Sequence, residues 1–242
     1  METKYSAPES GGFQYVSERF PEFWVLAASA AAWVVLAARA AASVHVHHAG
    51  VYSDGSENWR HWMLMVTAMM LPLQIGGVRL TAERSLWSRR HRAILGYLLG
   101  YLSVWALAGI PLAWAFTALG ISHRIGWMEG TAIGFVLAAA WLVSPWKEMA
   151  ARMCHRTVPL SPGGWRAHRD CLGYGCVAGY GCALNCWPLM LVCWLSGHSF
   201  ITIVLGFGLG WVDRHGAPNY RLHATAVAML GLAFGVLSQL RS

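Results

Sequence analysis

The chain has 242 residues, 56% of them hydrophobic and 12% charged, with a formal net charge of +7. Soluble domains carry about 25% charged residues, so this composition excludes an ordinary water-soluble enzyme, and its long apolar stretches exclude disorder, collagen and coiled coil. The basic residues lie in short loops between apolar runs, which reads as membrane topology and excludes a nucleic-acid partner; six cysteines in so apolar a chain are not a secreted disulfide scaffold.

Residues 1–20, with Pro8, Gly11 and Gly12, read as an inner polar tail, and 21–242 as a single helical domain. Glu2, Glu9 and Glu18 precede the first apolar run without a short basic region, so that run is not expected to be a cleavable leader. A membrane-spanning helix needs about 20 mostly apolar residues. Seven runs approach that: Phe23–Val44, His61–Val78, Ala93–Leu119, Trp127–Trp146, Leu172–Leu195, Phe200–Val212 and Leu222–Leu240. The sixth is short and rich in glycine (Gly206, Gly208, Gly210), hence tilted, re-entrant or fused with a neighbour. The expected fold is all-α, a polytopic transmembrane helix bundle of about six to seven spans.

Cytoplasmic loops retain Lys and Arg. With the N-terminus inside, fourteen of the eighteen Lys and Arg fall on the inner side, three on the outer side and Arg39 within the first span. Lys147 and Arg214 are among the inner set, and Thr157–Asp170 is the longest inner connection. Gly173-Tyr174-Gly175-Cys176 recurs as Gly179-Tyr180-Gly181-Cys182, a pattern of small residues that lets helices approach closely.

The candidate chemistry is soft. His61, Met65 and Met69 recur at i, i+4 and i+8, so they share one helix face, with Pro72 after them. Thioether and imidazole together suit copper; the alternative is methionine as adaptable filler. Cys171, Cys182, Cys186, Met190 and Cys193 form a second stripe, with Cys176 off it. It reads either as thiolates sharing a metal with another helix or as small hydrophobes. Asn185, inside the same run, needs a hydrogen-bonding partner in the bundle. Before the second run stand His45, His47 and His48, followed by Asp54 and Glu57; with His61, His123 and His198, six of eleven histidines fall on the outer side. They read as a metal-capturing group or as a solvated rim. No phosphate-binding loop, dinucleotide fingerprint, nucleophile elbow or zinc-protease motif is present. No ionisable group is expected at mid-membrane, which disfavours a proton-driven transporter.

Trp62-x-x-Met65-x-x-Ala68-Met69-Met70-x-Pro72, Gly96 through Trp105, Ser144-Pro145-x-Lys147 and Cys182-x-x-x-Cys186-Trp187 occur in that order. Over roughly residues 60–212 the chain thereby resembles a bacterial family of predicted metal-binding integral membrane proteins, catalogued as domain of unknown function 2182. The resemblance implies a membrane fold, a metal role and a bacterial cytoplasmic (inner) membrane location, multi-pass with a cytoplasmic N-terminus. Asn185 and Ala150 stand where members of that family commonly carry cysteine.

Two functions are expected from these features. The first is a copper-binding membrane protein that delivers, stores or moves the ion for a membrane enzyme, with His45, His47, His48, His61, Met65, Met69, Cys182 and Cys186 as the metal residues. The second is a non-catalytic accessory subunit packing against larger subunits of a membrane complex. Several small-x-x-x-small pairs and the replaced cysteines fit the second reading. Its partners would be the lipid bilayer and other membrane subunits. A thiol redox enzyme ranks last, and the balance is against an enzyme.

Overall fold

A computed structural model of the chain describes residues 20, 22–43, 55–120, 126–161, 163–216 and 220–240. Among these there is no strand, and nine α-helices follow one another: α1 (Phe23–Ser43), α2 (Gly55–Met70), α3 (Ile75–Glu83), α4 (Arg90–Leu119), α5 (Trp127–Leu142), α6 (Pro145–Cys154), α7 (Gly164–Leu195), α8 (Phe200–His215) and α9 (Tyr220–Gln239). The all-helical expectation holds.

The count of spans is lower than expected. Three helices are long and apolar enough to cross a membrane (Phe23–Ala42, Arg90–Leu119 and Gly164–Leu195), or up to five if each of two bent pairs counts as one. Both bends occur at prolines. After α2 a short 3₁₀ turn over Pro72–Gln74 deflects the chain by 46° into α3. Pro72 has no N–H to give the carbonyl of Ala68, and the Ser29 hydroxyl of α1 donates to that carbonyl instead, at 2.9 Å. Between α5 and α6 the turn is 84°. There Ser144 is extended (ψ 148°) before Pro145, which opens α6. The fourth apolar run therefore stops at Leu142 rather than Trp146. The inner connection is also shorter than expected, because α7 already begins at Gly164.

Missing side chains set the helix spacing. A Cβ on Gly100 of α4 would stand 2.1 Å from the Leu172 carbonyl oxygen, and one on Gly175 of α7 would stand 2.0 Å from that of Tyr97. Glycine is thus the only residue that permits the α4–α7 approach, and the Gly-Tyr-Gly-Cys repeat supplies it. Around this pair α1, α2, α6 and α8 close one continuous core that fully buries Met65, Met69, Met70, Tyr97, Tyr101 and Met190. Tyr97 donates to Gln74 Oε1 at 2.9 Å, tying the break after α2 to α4. A second, smaller core forms where α5 meets α7 and α9, around Phe135, Ala138, Val192 and Val227. The outer surface remains apolar, with Leu99, Leu107, Trp114, Val136 and Leu232 exposed. At the rim, Arg79 donates to Glu22 through Nε at 3.1 Å and also through Nη2. Burial raises the pKa of Glu22, but these bonds and the adjacent charge outweigh it and hold the carboxyl below its ordinary range.

Candidate metal site

The predicted metal residues divide by position. His45, His47 and His48 lie outside the described residues. His61, Met65 and Met69 are all buried on one face of α2, and Cys182 and Cys186 are buried on α7. Met65, Met69, Cys182 and Cys186 belong to the same core, together with Cys154, Met190 and Cys193. The facing is what the two stripes require. The void over Gly206 of α8 joins them directly: a Cβ there would lie 3.0 Å from Met69 Cε and 3.3 Å from Cys193 Sγ.

The six cysteines are free thiols, and three of them gather at the α6–α7 contact. A Cβ on Gly181 would meet the Met153 carbonyl at 2.7 Å and the Cys154 nitrogen at 2.8 Å. Its absence lets the end of α6 lie against α7 and brings Cys154 into interaction range of Cys182, which also interacts with Cys186. Tyr101 of α4 donates its hydroxyl to Cys182 Sγ at 3.1 Å. Arg214 of α8 donates to Cys154 Sγ and, at 3.5 Å, to the Cys154 carbonyl. A guanidinium beside thiols offsets the charge they acquire when they bind a soft cation as thiolates. Among the described residues no three His, Cys, Asp or Glu side chains are grouped to hold a metal ion. Hard or four-coordinate N/S chemistry is therefore not what this core offers as it stands; soft ligands in low number, drawn from cysteine and methionine, suit Cu(I).

Next to the thiols is a polar tie that sequence reasoning missed. Lys147 of α6, 2% exposed at its side chain, donates to Asp213 Oδ2 of α8 at 2.7 Å and to Asn185 Oδ1 of α7 at 2.9 Å. Asn185 Nδ2 donates to the same Asp213 oxygen at 2.9 Å. This supplies the partner that Asn185 needs. It also corrects one expectation, because Lys147 lies in helix α6 and not in a loop, and it puts a buried ion pair inside the bundle. A cavity of about 200 Å³ adjoins the tie, lined by Lys147, Asn185, Asp213, Trp141, Leu209 and His223 among others. The available signals were Asn185 in an apolar run and the Ser-Pro-x-Lys motif; Asp213, one residue past the sixth run, looked like loop.

At the far end of the α2 stripe, His61 meets His198 of the α7–α8 turn, with ring centroids 4.5 Å apart and the planes at 61°. Trp194 packs on His198 (5.2 Å) and on Trp62 (5.1 Å). Arg39, itself exposed, places its Nη1 3.5 Å from His61 Nδ1. Burial, with His61 alongside, pushes the pKa of His198 well below the ordinary imidazole range, which leaves it neutral at physiological pH and thus able to act as a ligand.

The family model of PpoB2, described as a copper chaperone, matches residues 59–238. No curated protein and no solved structure matches the chain. The match supports the coarser content of the resemblance seen in the sequence, a copper-related family; the designation given there is not what it carries. It covers all of α3 to α8 and most of α2 and α9.

Proposed function

The chain belongs to the PpoB2 copper-chaperone family, and on that premise we propose that it is an integral membrane protein that receives copper as Cu(I), holds it in the soft core between α2, α6 and α7, and passes it to a membrane enzyme. Met65 and Met69 offer thioethers, and Cys182 and Cys186 offer thiols, with Cys154 as a further thiol brought in by α6. The carrying observation is that two stripes far apart in the chain, on α2 and α7, turn their sulfurs into one buried core. Thiols bind as thiolates, so loading releases protons, and Arg214 and Tyr101 are placed to stabilise the sulfur charge.

The membrane reading rests on the three to five candidate spans and the apolar exterior. The Lys and Arg imbalance of the loops orients it with the N-terminus in the cytoplasm, at the bacterial inner membrane. Copper measured on protein purified in detergent under reducing conditions tests the proposal. About one Cu(I) per chain is expected, lost on Met65→Leu or Cys186→Ser with helix content unchanged. Copper-free protein isolated in fixed ratio with larger membrane polypeptides, and indifferent to both substitutions, would establish the accessory-subunit reading instead.

A further inference from the structure

The sulfur stripes explain where an ion is held and leave open how it enters. The stripe on α2 begins at His61, one turn before Met65. On α7, Cys193 lies in the last turn of the helix, and His198 follows on the turn into α8. The His198 N–H donates to the Cys193 carbonyl at 2.9 Å, which ties the histidine's backbone to that last turn. Both stripes thus end in a histidine, and the two rings touch.

The backbone at His198 is held in the left-handed region. Gly197 and His198 are successive left-handed residues, with φ of +64° and +59°, and His198 is the one non-glycine residue with positive φ among those described. An L-residue is strained there, which a glycine would avoid. A side chain kept where it is strained is a pointer to function, and here the strain delivers an imidazole against His61.

We propose that His61 and His198 form the entrance site for copper, a paired-imidazole ligand set for a soft monovalent cation, from which the ion moves to Met65 and then to Met69 and Cys193 over Gly206. This rests on the copper-handling reading and names its loading site. The two imidazoles, with ring centroids 4.5 Å apart, would hold the ion, and Met65 one turn along α2 would offer the next ligand. Arg39 is the guard. Its guanidinium engages His61 Nδ1 and its charge repels a cation, so an arriving ion has to displace it.

The test uses the full chain in detergent under reductant, with Cu(I) supplied from a competing chelator and the bound ion read by X-ray absorption. Loaded with two equivalents, so that the sulfur core is filled and a second ion stays at the entrance, wild type is expected to show imidazole nitrogen in the copper shell. His198→Asn, which tolerates the left-handed backbone, should lose that nitrogen signature. It should also weaken uptake by at least about tenfold, the loss seen even for partners of metal ligands. His198→Gly, which relieves the left-handed backbone while removing the ring, should take up copper as poorly, separating strain from ligation. Arg39→Gln should take up copper faster. An all-sulfur copper shell at two equivalents, or normal uptake by His198→Gly, overturns the entrance site while leaving the copper reading intact; wild type that retains no copper overturns both.

Discussion

The two cores of this protein draw on the same apolar composition and use it differently. The smaller one, between α5, α7 and α9, is hydrocarbon throughout: Phe135 stacks on Phe234 at 6.0 Å, with Ala138, Val192 and Val227 around it. The larger one contains Met65, Met69, Met70, Met190, Cys154, Cys182, Cys186 and Cys193. Methionine used merely as adaptable filler would be expected in both. Its concentration beside cysteine in one of them argues that the sulfur is there for its chemistry. Polarity follows in part: Tyr101 donates to a thiol of the larger core, while the Lys147–Asp213–Asn185 tie lies between the two and lines a cavity with Ala138 and Val227 of the smaller one.

Three substitutions sharpen or break this contrast. The largest effect is expected at the border, where Lys147→Met would leave Asp213 buried and uncompensated and cost about 3–5 kcal/mol. Adding Asp213→Asn should restore most of the melting temperature in detergent. A neutral single variant would mean that charge does not hold α6 and α8 together. Phe135→Ala should cost about 3 kcal/mol by opening a cavity and leave copper content unaltered; copper lost in proportion would make the two cores one. Gly181→Ala should cost least, about 1–3 kcal/mol of overpacking, yet reduce copper retention out of proportion to stability, because it pushes Cys154 away from Cys182. Reaction of Cys154 with a thiol reagent, faster in this variant than in wild type, checks the displacement.

Much of this was readable along the chain. Periodicity alone placed His61, Met65 and Met69 on one face and grouped the α7 cysteines, because helical geometry relates residues only a few positions apart. The six-residue glycine repeat disclosed close packing for the same reason. What stayed hidden depends on residues distant in sequence. Asp213 looked like a loop acid until α8 laid it on Lys147, and His198 looked like one of several outer histidines until its turn folded it onto His61. Pro72 was legible as a bend, whereas the fourth run reads straight through Pro145 to Trp146, since a proline in an apolar run can end a helix or only kink it. The family match over residues 59–238 supports a copper connection; the ligands themselves stand as proposals on His61, Met65, Met69, Cys182 and Cys186.

The bond from Ser29 to the Ala68 carbonyl has a mechanical consequence. In an oily medium no solvent can take over an abandoned carbonyl, so α1 cannot slip along α2 by even one turn without stranding that oxygen. The hydroxyl acts as a register pin. It locks the depth of the first helix to that of the methionine ladder, and any piston-like travel of one must carry the other with it.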